Sequence, residues 1–362
     1  MALSTLNAPA QSNNDQAAEA TVIANPFPRA AYEHIEPMDA RSQQIDASSH
    51  QKGPIDVPPY GFARHLILTV TATGGAGGSA VAKEDGPWDV LQDLMVTDVN
   101  GRNIVGPYSG SDLYLANLVG GYVENVDPKD LPSYSAIDAN GDFSFKLRVP
   151  FEITSKDGLG SLPNMNSSAT YKLSYAIAAK GSVYGTDPAT TLPIVTVTAH
   201  LEAWTQPGGA DARGNPNVQT PPMVGTTQYW TKSQHNVSAG EQRIPLPRKG
   251  NMVRNLVFIF RDTSGDRDET NLPPTLRVEW DGRILVNTTK LVLKDQFFER
   301  FGIALPDGMI AFDYTHDADG KPGNENRHLW LPTSQATRME LVGTFGAAGV
   351  LTILTNDVQP QG

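Results

Sequence analysis

Alternation at period two runs through most of the chain. Phe143, Phe145, Leu147 and Val149 recur at every second position, as do Tyr171, Leu173, Tyr175 and Ile177. Ile194 to Leu201 places Val195, Val197 and Ala199 on one face and Ile194, Thr196 and Thr198 on the other. Successive strand side chains point to opposite faces, so the pattern predicts half-buried antiparallel strands. Leu66 to Thr71 is a further β-rich run, and the texture returns at Leu256–Phe260, Leu276–Trp280, Met339–Thr344 and Val350–Thr355. Helical spacing is scarce. Its clearest case is Lys290 to Phe301, where Phe297 and Phe301 share a face and Gly302 fits the position just past the end. Ser111 to Val119, followed by Gly120, is a weaker counterpart.

Two stretches break the pattern. Residues 1–50 are polar, with Val22, Ile23, Phe27, Tyr32 and Ile35 as the main apolar anchors between Pro26, Pro28 and Pro37. A helix near Gln16 to Ala24 would soon meet Pro26, so we expect an arm that stays loose until it docks through Val22, Ile23 and Phe27. Thr205 to Thr227, rich in Pro, Gly and Asn, reads as an inter-domain linker. The expected organisation is an arm at 1–50, a β domain at 51–204, a linker at 205–231 and a second β domain at 232–362.

The two halves repeat each other. Ile55 to Gly61 leads to Arg64-His65-Leu66, just as Ile244 to Gly250 leads to Arg254-Asn255-Leu256, at spacings of 189 and then 190. Asn100-Gly101 and Asp281-Gly282 sit between apolar runs at a spacing of 181, and such pairs centre tight hairpin turns. Gly120 matches Gly302 at 182, and Asp138-Ala139-Asn140-Gly141 matches Asp317-Ala318-Asp319-Gly320 at 179. Ala169-Thr170 pairs with Ala336-Thr337, while Leu162-Pro163 and Val149-Pro150 compete for Leu331-Pro332. An ordered set of this kind marks two homologous β domains. Each has room for roughly eight strands and one short helix. The expected fold is all-β: two tandem eight-stranded jelly rolls with short helices in loops.

Composition narrows the function. A chain of 362 residues with 39% apolar positions can bury a core in each of two domains. Its 28 basic residues against 39 acidic ones make it a poor match for phosphate backbones. The arm is no exception, with Asp15, Glu19, Glu33, Glu36, Asp39 and Asp46 against few bases. The absence of cysteine excludes disulfides, thiolate metal sites and cysteine nucleophiles. Met1 to Asp15 shows no secretory signal, so the N-x-S/T sites at Asn166, Asn236 and Asn287 carry no weight.

Taken together, Ile244 to Asp262, Val278 to Val286, Trp330 to Val358 and Asp157 to Ile177 give the tandem a family character. From about Arg41 onward the chain resembles the double jelly-roll major capsid proteins of tectivirus-like phages, which are tailless and contain a membrane. The resemblance lies in pattern and not in one invariant motif. It implies a homotrimer shaped as a pseudo-hexagonal block, tiling an icosahedral virion shell over an internal membrane. Partners would be neighbouring capsomers, penton and minor capsid proteins, with the arm touching the membrane or its proteins and no direct nucleic-acid contact. Assembly would occur in the host cytoplasm, without cofactor or enzymatic activity.

Chemical candidates are weak by comparison. The seven histidines are scattered, and only His316 and His328, flanking an acidic loop, offer even a conceivable metal pair. The Asp138 and Asp317 loops lack the later bidentate Glu of calcium loops. Gly110-Ser111-Asp112 has no evident His partner, and Gly74 to Gly78 lacks the Lys of a phosphate loop and reads as a flexible tip. Glu279 and Asp281 share a strand face, yet Asp281 is needed in the turn. Trp88, Trp204, Trp230, Trp280 and Trp330 fit core or interface packing better than sugar stacking. No catalytic, cofactor or metal residue is therefore expected. Two rivals stay open: a two-domain jelly-roll glycan-processing hydrolase, and a carbohydrate-binding or minor capsid (spike) protein.

Overall fold

In the first half, the period-two runs become strands β1 (Glu33–Pro37), β2 (Arg41–Gln44), β3 (His50–Asp56), β4 (Phe62–Thr73), β5 (Leu91–Thr97) and β6 (Asn103–Tyr108). Helix α1 (Gly110–Val119) follows, then β7 (Phe143–Pro150), β8 (Leu162–Pro163), β9 (Lys172–Ile177) and β10 (Ile194–Trp204). The second half gives β11 (Gln228–Val237), β12 (Gly240–Pro245), β13 (Met252–Arg261), β14 (Thr275–Trp280) and β15 (Arg283–Thr289). Helix α2 (Lys290–Phe301) precedes β16 (Met309–Asp313), β17 (Leu331–Pro332), β18 (Met339–Phe345) and β19 (Gly349–Val358). These elements belong to a computed structural model that describes residues 27–120, 126–208, 220–222, 226–247, 250–315, 327–334 and 336–359.

Each half folds into two facing sheets. In roll 1 these are β1/β2–β10–β4–β7 and β3–β9–β5–β6; in roll 2 they are β11–β19–β13–β16 and β12–β18–β14–β15. The strand order is the same in both, with α1 and α2 at the same point of the path. The fold class read from the sequence is the one observed. Alternation decides which residues fill the rolls: Phe143, Phe145, Leu147, Val149, Val195, Val197 and Ala199 are buried, while Ile194 points outward.

The duplication reaches single side chains. In roll 1 the Nη1 of buried Arg64 donates to Glu33 at 2.6 Å and Glu202 at 2.9 Å. Arg254 of roll 2 does the same to Gln228 at 2.8 Å and Asn356 at 2.6 Å. The registers agree, because Glu202 lies opposite both His65 and Ile35, while Asn356 lies opposite both Asn255 and Trp230. Leu162-Pro163 pairs with Phe62-Ala63 as Leu331-Pro332 pairs with Met252-Val253, which settles the competition with Val149-Pro150.

Some expectations change. Strands β1 and β2 fall inside the stretch expected to be a loose arm, and both pair with β10. Their sequences, EHIEP and RSQQ, are polar because they form a sheet edge with little to bury. Strand β11 begins at Gln228, inside the stretch expected to be linker. Phe27 is anchored edge-on against Phe62 and Trp204; Val22, Ile23 and the helix near Gln16 lie outside the described residues. Asp138–Gly141 precedes β7 whereas Asp317–Gly320 follows β16, so chain order excludes their equivalence. The latter loop also lies outside the described residues. Gly74–Gly78 is no free tip: Ala76 pairs with Thr191, and a Cβ on Gly75 would stand 2.0 Å from the Asn140 carbonyl oxygen.

Candidate assembly surfaces

The rolls join edge to edge. Strand β6 of roll 1 meets β11 of roll 2 in parallel at Val105 and Trp230, so β3–β9–β5–β6 and β11–β19–β13–β16, with β17, become one nine-stranded sheet. Trp230 is fully buried there, and its indole N–H donates to Gln228 Oε1 at 3.1 Å. The Tyr108 hydroxyl donates to the Thr231 carbonyl at 3.3 Å, and Gln228 Nε2 donates to the Glu152 carbonyl at 2.7 Å. Apolar side chains from both rolls, including Leu115, Trp230, Val257, Ile259 and Leu354, form one continuous core.

Charge at this seam is divided by roll. Asp112 of α1 pairs with Lys232 at 2.5 Å, and Asp85 pairs with Arg261 at 2.5 Å and Arg267 at 2.7 Å. Glu84 reaches Arg267 at 3.3 Å. Acids come from roll 1 and bases from roll 2. Desolvation, followed by the charges of Asp85 and Asp112, pushes the half-buried Asp89 carboxyl up to about 6.

The two helices are treated differently. All ten residues of α1 are buried, and a capping box between Ser109 and Asp112 closes its start. In α2 only Leu293, Phe297 and Phe301 are buried. Leu291, Val292 and Phe298 are exposed, Leu291 by 66% and Phe298 by 55%. Beside them on β15, Ile284 and Leu285 also face outward. Strand β15 ends its sheet and β1/β2 ends another, so each offers an open edge among the described residues. Ile35 on β1 is 56% exposed.

The chemical candidates are held in structural roles. Asp281 sits in the hairpin turn at φ 47° and accepts from the backbone N–H groups of Thr337 and Arg338 and from the Trp280 indole. The Thr337 hydroxyl and these N–H groups hold its carboxyl below the usual range. Glu279 is taken up by Arg243 at 2.8 Å and Arg277 at 2.5 Å, and Arg243 foremost lowers it as well. Asp138 Oδ1 accepts from the N–H groups of Asn140 and Asp142, an Asx turn. Gly110-Ser111-Asp112 is the start of α1. Trp88, Trp204, Trp230 and Trp330 are buried, and Trp280 is partly so. His316 lies outside the described residues, as does the side chain of His328. Among the described residues no three His, Asp or Glu are placed to share a metal ion.

The buried arginine pair escaped sequence reasoning, although Arg64 and Arg254 stand at matched places in the repeat. Arg64 stacks over Trp204 at 4.2 Å, and its Nε donates to the buried Glu152 at 2.7 Å. Burial pushes the Glu152 carboxyl up in spite of that partner. A charged residue recurring before a buried apolar run in both repeats was the available signal.

No protein-family model matches the chain, and no curated protein matches it in sequence. Solved structures do match it in shape. The major capsid protein of Sulfolobus turreted icosahedral virus superposes at a TM-score of 0.62 with 12% identity, over 91% of this chain and 97% of that one. The capsid of PBCV-1 virus gives 0.62 with 11% identity, over 91% and 93%. The major capsid protein of bacteriophage PM2 gives 0.53 with 12% identity, over 91% and 98%. This chain has the fold of these capsid proteins. At such identities the likeness establishes architecture, and it spans both rolls and the seam between them.

Proposed function

We propose that the chain is a major capsid protein, a structural subunit whose trimers form pseudo-hexagonal blocks of an icosahedral virion shell over an internal membrane. One observation carries this: two rolls of identical strand order stand edge to edge through a continuous core, in an architecture shared with viral capsid proteins over nearly the whole chain. Neighbouring blocks, penton and minor capsid proteins are the partners, with the segment before Phe27 directed to the membrane or its proteins. The virion is its location and the host cytoplasm its place of assembly. Glu279 and Asp281, the carboxylates best placed for hydrolysis by sequence, are already bound to arginines and backbone N–H groups, which speaks against the glycan-processing alternative.

The test is mass in solution by light scattering, with negative-stain imaging of the same sample. Three times 39.0 kDa and hexagonal outlines are expected. A monomer at every concentration would overturn the proposal. Deleting residues 1–26 tests the arm separately. The trimer is expected to persist while closed particles fail to form in producing cells; normal particles would remove the arm from the assembly.

A further inference from the structure

The rolls differ at one backbone edge. In roll 1 the outer edge of β7 is closed by a side chain of α1. Asn117 Nδ2 donates to the Arg148 carbonyl at 2.7 Å, and the Arg148 N–H donates to Asn117 Oδ1 at 2.8 Å. A carboxamide thus stands in for one residue of a neighbouring strand. Arg148 lies opposite Ile67 and Ala311 lies opposite Val257, at the spacing of 190 that relates Arg64 to Arg254, so Ala311 of β16 is its counterpart. On β16 the Tyr314 N–H donates to the Arg254 carbonyl and the Gly308 carbonyl accepts from Phe260, both at 2.9 Å. Alternate residues therefore face β13, and Ala311 turns its N–H and C=O to the outer edge. Neither group is hydrogen-bonded among the described residues. The spacing of 182 that matches Gly120 to Gly302 puts Glu299 at the place of Asn117, and Glu299 is exposed.

A cavity of about 230 Å³ adjoins this edge, between β15, α2 and β16. Val286, Leu293, Phe297 and Phe312 are apolar walls, and Ala311 lies among the lining residues. The Tyr314 hydroxyl, buried and also in the lining, has no hydrogen-bond partner among the described residues. Arg300 and Asp313 meet at 3.4 Å, and Asp313 also accepts from Thr315, so the charges at the cavity balance. We propose that the cavity binds a small primary carboxamide carried on an apolar or aromatic body. The amide takes the place that Asn117 holds in roll 1, donating to the Ala311 carbonyl and accepting from the Ala311 N–H, while the body packs against Phe297 and Phe312. Binding satisfies backbone groups that the fold leaves unpaired. A carboxylate brings no donor and would set its charge against the Ala311 carbonyl and Asp313, and an amine brings no acceptor. A cavity of about 150 Å³ holds benzene, so this one has room for about nine non-hydrogen atoms, the size of benzamide. The inference rests on the duplication and the cavity, and is independent of the capsid reading.

The probe is para-fluorobenzamide titrated into the purified full-length chain, with broadening of its fluorine resonance as the readout. Saturable binding with a Kd of about 1 mM or tighter is expected for a ligand of this size. The matching para-fluorobenzoate, which has the same shape without the donor, is expected to bind about tenfold or more weakly. Ala311→Pro removes the N–H without breaking a ladder bond, since that group bonds to no strand, and is expected to weaken the amide by about tenfold or more. Val286→Phe, at a half-buried wall position, is expected to block the cavity and gives the same loss should the proline variant fail to fold. An amide that shows no saturable binding would overturn the proposal. Equal binding of the benzoate would make the cavity a plain apolar pocket, and amide binding that survives Val286→Phe and a folded Ala311→Pro would put the ligand elsewhere; either result overturns it too.

Discussion

Arg64 and Arg254 hold the same place in two rolls with different company. The partners of Arg254, at the seam, include the amide oxygens of Gln228 and Asn356; those of Arg64, at the open edge, include Glu33, Glu152 and Glu202. Removing one partner of a buried pair leaves the other uncompensated, at a cost of about 3–5 kcal/mol. Arg64→Met is therefore expected to lower stability by that order at pH 7. Glu152 would then have a carboxyl raised further above its unfolded value. A raised acid is without penalty below the unfolded pKa and loses stability as pH climbs through the folded one, so the loss should be smaller near pH 4 than at pH 8. Urea melts at both values check this; an equal loss would show that packing over Trp204, and not charge, is what Arg64 supplies.

Asp89 obeys the same sign. Its carboxyl, at about 6 in the folded chain, contributes a penalty that is absent near pH 4 and complete by pH 8. Asp89→Asn should raise stability by about 1–2 kcal/mol at pH 8 and change it little at pH 4. At this scale the sequence was only partly legible. The role of Asp281 in its turn followed from the Asp-Gly pair, because that chemistry is local. The arginine clusters join residues more than a hundred positions apart in the chain, and only the registers of β4, β10, β13 and β19 bring them together.

Elements with a strong internal period were read closely. Helix α2 spans the expected Lys290–Phe301, and the runs at Phe143 and Ile194 became β7 and β10. Strands β1 and β2 were missed because an edge strand with polar side chains on both faces has no alternation to detect. Start residues are set by neighbours more than by propensity. Gly110 opens α1 where a Cβ would stand 1.9 Å from the Trp88 carbonyl oxygen. Helix propensity alone would make Gly110→Ala stabilising by about 1 kcal/mol. The close approach should reverse that sign, costing about 1–3 kcal/mol in a urea melt. A stabilised variant would show that the loop before α1 yields easily.

For the whole molecule, the internal repeat was the decisive legible feature, since two similar domains in sequence order imply two similar rolls. How the rolls join was not legible. Val105 and Trp230 are 125 positions apart, and nothing local to either announces a parallel bridge. The shared core predicts that neither roll melts by itself. Trp230→Ala should cost about 3–5 kcal/mol and still give one calorimetric transition at a lower temperature. Two separated transitions would mean that the seam is an ordinary domain contact.

The β6–β11 join also has a kinetic meaning. Because a peptide link tethers its two halves, that joint forms within one chain at an effective concentration fixed by the tether and independent of how much protein is present. Dilution should therefore leave this joint closed, where a joint between two separate rolls would open.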